Sequence, residues 1–110
     1  MPDDKRRSPR IPLDVRVNYD FDAIAHSKDI SEGGICLITE QALEKGKMLN
    51  LVFQLPGRHK PIEAIGKVMW CRKSLEYLHE IGISFWQIKA KEHQEIKEYL
   101  EQSLDSDHGG

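Results

Sequence analysis

The sequence predicts an all-β barrel or sandwich of six short strands followed by one helix, and three observations predict it. Apolar and polar residues alternate with period two from Leu13 onward. Turn signals (Asp20–Asp22, Glu32–Gly34, Gly46, Pro56-Gly57 and Lys73–Glu76) break the chain at short intervals. The period then changes to a helical one near the C-terminus.

The first strand is "PLDVRVNYD", in which Leu13, Val15, Val17 and Tyr19 alternate with Asp14, Arg16, Asn18 and Asp20. "DAIAHSKDI" predicts a second, weaker strand that turns Ile24 and His26 inward. "GGICLIT" is apolar on both faces and predicts a buried third. "KMLNLVFQLP" is a fourth, stopped by Pro56-Gly57. "PIEAIGKVMWCRK" is a fifth, with Gly66 as a bulge or twist point. "YLHEIGISFWQI" is a sixth. A closed barrel would remove the exposed edges that endanger so small a sheet. In "KAKEHQEIKEYLEQSL", Ile96, Tyr99, Leu100 and Leu104 form a narrow apolar stripe. Such a helix cannot stand alone, so it is expected to pack on the barrel, over about 88–104. Residues 105–110 read as a frayed tail, 1–11 as a flexible basic arm and 12–104 as one domain.

The 110 residues suffice for one modest core, and 39% apolar with 31% charged residues is a soluble globular balance. The start, "MPDDKRRSPR", lacks the apolar core of a secretory signal, and no run approaches the ~20 apolar residues of a membrane span. These features predict a cytoplasmic protein. Cys36 and Cys71 sit in apolar runs and read as buried reduced thiols.

The formal net charge of −2 is unevenly spread: Lys5, Arg6, Arg7 and Arg10 crowd the start and acids load the end. That pattern favours a small anionic partner over a long polyanion. Pro9 and Pro12 keep the basic head extended, which puts Arg6 and Arg10 on one face about 13 Å apart. Guanidinium groups suit phosphate and the edge of guanine. The structural alternative is a solvated basic arm.

In "SKDISEGGICLIT", Asp29 and Ser31 lie two apart on one side of an extended backbone, with Ile30 facing the core. A carboxylate accepts two parallel hydrogen bonds, the pattern guanine offers through N1–H and its amine. Gly33 and Gly34 permit positive φ and close approach of a flat ligand. The alternative is a hairpin turn stabilised by its own side chains.

"RRSPR" followed about twenty residues later by "DISEGG" resembles the PilZ domain family, whose pattern is Arg-x-x-x-Arg and then Asp/Asn-x-Ser-x-x-Gly. Arg6, Arg10, Asp29, Ser31 and Gly34 match it, and "GKVMW" and "HEIGISF" resemble later strands of the family. The resemblance implies a six-stranded antiparallel split barrel with a C-terminal helix. It also implies a bacterial receptor for cyclic di-GMP, held as one molecule or a stacked pair, that signals to a protein partner. Candidate ligand contacts are then Lys5, Arg6, Arg7, Arg10, Asp29, Ser31, Gly33, Gly34 and Trp70, the last also readable as a core or rim aromatic.

Three rival readings are weaker. A catalyst lacks support, because Trp86 stands where a nucleophile elbow needs glycine and no histidine adjoins Ser31. The histidines show no metal-ligand spacing, so no cofactor or metal is expected. A nucleic-acid-binding barrel would need more than 7% aromatic residues and a basic groove. A PilZ-like adaptor that binds no nucleotide would be expected to lose the motif residues that this chain keeps.

Overall fold

The computed structural model describes residues 9–109, with side chains described through residue 104. Seven strands and one helix follow in order: β1 (Ile11–Pro12), β2 (Arg16–Tyr19), β3 (Ala23–Ser31), β4 (Gly34–Thr39), β5 (Met48–Phe53), β6 (Ile62–Lys73), β7 (His79–Ile88) and α1 (Ala90–Gly109). Every pairing is antiparallel. The order β3-β2-β5-β6-β7-β4 closes on itself through β3–β4, giving a six-stranded barrel, and β1 is an extra strand beside β3. The all-β barrel with a single C-terminal helix is thus the observed fold.

The expected first strand is split in two. β1 and β2 lie in succession along one edge of β3, with Leu13–Val15 between them. Here a side chain enters the ladder. The Ser27 hydroxyl donates to the Leu13 carbonyl and accepts from the Val15 N–H at 2.9 Å. Leu13 N–H still reaches the Lys28 carbonyl and Ser27 N–H the Val15 carbonyl, each at 3.0 Å. The N–H and C=O groups of Leu13 and Val15 are thus all bonded across the gap, and Leu13 and Val17 keep their inward alternation.

The inward face of β3 differs from expectation. Ile24 is 54% exposed and His26 is exposed, whereas Ala25 and Ser27 are buried. Register explains this. Val17 pairs Ala25 and Tyr19 pairs Ala23, and directly opposed residues share a face. The bulky inward Val17 and Tyr19 therefore select small neighbours on β3.

The barrel interior is filled by Val17, Ile30, Ile35, Leu37, Leu49, Leu51, Ile62, Val68 and Ile81, all nearly inaccessible. β4 is buried on both faces, as its composition implies. Gly66 marks a register shift, and a Cβ there would lie 2.4 Å from Ile83 Cγ2. Along α1, Ile96 and Leu100 join the core while Tyr99 and Leu104 pack against it. The helix therefore docks on its own barrel. It runs from Ala90 to Gly109, beyond the 88–104 expected from the apolar stripe. No described helix is long and apolar enough to cross a membrane.

Candidate functional site

A β-bulge at Lys28 keeps the site in phase. Ser27 pairs Leu37 and Asp29 pairs Cys36, so Lys28 has no partner of its own on β4. This β-bulge inverts the pleat. Before it, Ala25 and Ser27 face the interior; after it, Ile30 does, fully buried opposite Ile35. Without the bulge, strict alternation would turn Asp29 into the core. With it, Asp29 and Ser31 lie on the same side, as the spacing predicts; the Asp29 side chain reaches solvent, and Ser31, 5% exposed, is buried at the depression.

Registers then assemble rows across the outer face of β3, β4, β7 and β6. Asp29 pairs Cys36, Cys36 pairs Gly82, and Gly82 pairs Trp70. On one side of that row, Ser31, Gly34, Ser84 and Lys67 are paired in succession. On its other side stand His26, Ile38, Glu80 and Arg72.

Arg10 enters this face from the chain segment before β1, and its Nη1 lies 2.6 Å from Asp29 Oδ1. The arginine side chain is 51% exposed and the carboxylate 24%. Among the described residues Arg10 is the one donor to the Asp29 carboxylate, which leaves Oδ2 and the other lone pairs of Oδ1 able to accept further hydrogen bonds. The Ser31 hydroxyl donates to the Gly34 carbonyl at 3.5 Å. Arg10, Ser31, Gly33, Gly34, Trp70 and Ser84 line a shallow depression of ≈ 110 Å³. A pocket that encloses a drug-sized ligand needs ~300–1,000 Å³, so a larger molecule bound here would lie on the face. Larger concavities exist elsewhere, such as one of ≈ 610 Å³ beside Tyr19, Ile24 and Gln41, but that one is lined by no glycine and by neither Arg10 nor Ser31.

The glycines act differently from expectation. Neither Gly33 nor Gly34 has positive φ; Gly46 and Gly57 do. Gly34 is required by crowding, because a Cβ there would sit 2.2 Å from the Ile83 carbonyl oxygen. Gly33 has open space around it, and its carbonyl accepts from Phe85 N–H at 2.9 Å. Trp70 joins the depression as a rim aromatic, 39% exposed. Lys5, Arg6 and Arg7 lie outside the described residues, as does most of the basic arm.

Several members of this face were not singled out in the sequence. Glu80 accepts from Lys28 at 2.9 Å on one oxygen and from Arg72 at 2.9 and 3.3 Å on the other. Hydrogen bonds from Lys28 and then Arg72 hold the Glu80 carboxyl below its usual range, and Glu80 in turn raises Lys28. Burial pushes the Cys36 thiol up, with help from the Asp29 and Glu80 charges. Both cysteines are free thiols; Cys36 is buried and Cys71 partly so. Gly82 was legible in principle, since a lone glycine inside a strand marks a close approach. The face carries Arg10, Lys28, Lys67 and Arg72 against Asp29 and Glu80. It is net positive on a chain of formal charge −2.

Comparison with known proteins gives a consistent picture. A family model described as the PilZ domain matches residues 4–102. No curated protein matches the chain. Among solved structures, the Bacillus subtilis inhibitor of motility MotI/DgrA is 20% identical with a TM-score of 0.79, and 96% of this chain covers 57% of that one. Escherichia coli YcgR in complex with c-di-GMP is 12% identical with a TM-score of 0.73, covering 94% and 47%. The PilZ domain of Escherichia coli YcgR with c-di-GMP is 14% identical with a TM-score of 0.67, covering 96% and 98%. At these identities the likeness is one of fold. The chain spans about half the length of the first two proteins and nearly all of the isolated domain.

Proposed function

The chain belongs to the PilZ domain family, and from that membership and the geometry of its outer face we propose that it is a cyclic di-GMP receptor. The observation that carries this reading is the Arg10–Asp29 pair at 2.6 Å. It joins the end of one motif to the start of the other beside a depression edged by Ser31, Gly34 and Trp70. Cyclic di-GMP offers two phosphates and two guanines. Arg10 can fork onto a phosphate oxygen or the O6/N7 edge of guanine. Asp29 can accept from guanine N1–H and the amine while keeping its bond to Arg10. Ser31 adds a hydroxyl, Gly33 bare backbone, and Trp70 an aromatic surface. Lys28, Lys67 and Arg72 make the approach attractive to a dianion.

The depression is too small to enclose such a ligand. Closure from outside therefore falls to the basic arm, with Lys5, Arg6 and Arg7 completing the phosphate contacts. Folding the arm over bound nucleotide would create a new surface for a downstream protein, the ligand being the contact that distinguishes the two states. The inhibitor of motility among the similar folds favours motility as the process controlled. The domain is read as a binding module, with no catalysis and no DNA partner.

Calorimetry tests this. Cyclic di-GMP should titrate saturably against the wild-type chain. It should titrate far more weakly against Arg10→Ala, and a single-stranded oligonucleotide should give no comparable heat. Equal affinity for Arg10→Ala and wild type would defeat the site assignment. Arm closure has its own readout: amide signals of residues 3–10 that do not respond to saturating ligand in an NMR titration would refute it.

A further inference from the structure

Trp70 is supported from two directions. Beneath it lies Gly82, where a Cβ would fall 2.1 Å from Cε2 and 2.3 Å from Nε1 of the indole. Only a bare backbone lets the ring settle there. Against its face lies the Arg72 guanidinium, 5.2 Å from the ring centroid. That guanidinium is fixed in turn: its Nε and Nη2 both donate to Glu80 Oε1, at 3.3 and 2.9 Å. Lys28 Nζ holds the other oxygen, Oε2, at 2.9 Å. Glu80 is 11% exposed and Arg72 68%, so a sheltered carboxylate anchors an exposed cation.

Position tells which side the cation occupies. The depression is lined by Trp70 but not by Arg72, Glu80 or Lys28. The Arg72–Glu80 pair and the Ser84–Gly34 pair flank the Trp70–Gly82 pair on opposite sides. The ring therefore stands between the ion network and the depression. Trp86 gives the contrast. Lys67 sits 4.9 Å from its centroid, but no carboxylate fixes that lysine among the described residues, and Trp86 is 61% exposed.

We propose that Glu80, held by Lys28, positions the Arg72 guanidinium behind the Trp70 indole, so that the ring stands as a preformed wall against which a nucleobase stacks. Lys28, Glu80 and Arg72 are positioning residues, and the inference rests on the ligand reading given above. A ring already fixed loses less freedom when a base stacks on it, so the network acts through preorganisation.

The test uses a Trp86→Phe background, in which Trp70 is the remaining tryptophan. Acrylamide quenching and near-UV circular dichroism report the ring without ligand, and calorimetry reports cyclic di-GMP affinity. Arg72→Met and Glu80→Gln should each increase quenching and flatten the Trp70 dichroism. Affinity should fall roughly two- to fivefold, the scale of an exposed cation–π contact. Arg72→Lys keeps charge but not the fork, and should fall between. If Glu80→Gln does not fold, Arg72→Met, which keeps the aliphatic stem, decides alone. Quenching and affinity both unchanged in Arg72→Met would overturn the proposal. So would weaker binding with unchanged quenching, because Arg72 would then be touching ligand directly. If the parent chain binds no cyclic di-GMP, the ligand reading fails, and quenching alone decides whether the network fixes the ring.

Discussion

The two halves of β3 use the same alternating backbone for opposite ends. From Ala23 to His26 the strand pairs β2, and through Ser27 it turns small side chains inward and leaves Ile24 and His26 to solvent. At Asp29 and Ile30 it pairs β1, buries Ile30 and turns the Asp29 acid outward, with the largely buried Ser31 next along the same side at the depression. Lys28 is the extra residue between them. The first half serves the barrel and the second serves the face that Arg10 joins. The difference teaches that this site depends on the strand absorbing Lys28 in a bulge, without a shift of phase, as much as on the motif residues themselves.

The double variant Asp29→Ile/Ile30→Asp should break that contrast most severely, because it puts a carboxylate at the inward position and an isoleucine at the outward one. Moving the isoleucine to solvent forfeits about 1.5–3 kcal/mol, and burying an unpaired carboxylate costs more. The expected outcome is loss of a cooperative thermal transition; a double variant that melts like wild type would show that the inward position tolerates charge.

Gly34 and Gly82 sharpen the comparison, because both lie on the outer face but meet different obstacles. A Cβ at Gly34 strikes the Ile83 backbone, whereas at Gly82 it strikes the Trp70 side chain, which can swing away. Gly34→Ala should destabilise by ~1–3 kcal/mol, the usual cost of overpacking, in a urea unfolding curve. Gly82→Ala should be milder in the same curve and should instead alter Trp70 fluorescence. Similar unfolding midpoints for the two variants would argue against this distinction.

Arg10→Ala separates stability from binding. An exposed ion pair contributes ~0–1 kcal/mol to folding, so the melting temperature should barely move. Loss of charge-assisted contacts should weaken cyclic di-GMP by about 1.5–3 kcal/mol, on the order of ten- to a hundredfold. Ile24→Ala, on the other half of β3 and outside the paired rows of the site, should leave the affinity as it was.

The smallest effect is in pH. Lys28 and Arg72 lower the Glu80 pKa from its ordinary 4.5. The unfolded chain therefore takes up the Glu80 proton first as pH falls. The stabilisation is complete above about pH 4.5 and is lost as pH falls through the lower, folded value. Acid titration of wild type and Glu80→Gln should show a steeper loss in wild type below that pH; parallel curves would remove Glu80 from the stabilising set.

Much of this molecule was legible in its sequence, for identifiable reasons. Asp29 and Ser31 lie two apart, so their shared side follows from spacing, whereas Arg10 is brought to them only by the resemblance to the family pattern. Period-two runs and the helical stripe of Ile96 and Leu100 report burial directly. The inward face of β3 was misjudged because "AIAHSK" offers a larger side chain at Ile24 than at Ala25, and only register with Val17 and Tyr19 decides between them. The bulge was invisible for a related reason: "SKDIS" alternates acceptably in either phase. The Trp70–Gly82 contact and the Glu80 network join residues of different strands, and their meeting depends on pairing registers that a linear pattern does not carry.

An NMR shift map tests most directly whether the outward half of β3 holds the nucleotide. Titrating cyclic di-GMP into the ¹⁵N-labelled chain should move the amides of Asp29 to Gly34 and Gly82 to Ser84 and the Trp70 indole N–H. The amides of Asn18, Ile24 and Val52 should stay in place. Shifts confined to that second set, or none at saturating ligand, would contradict the assignment.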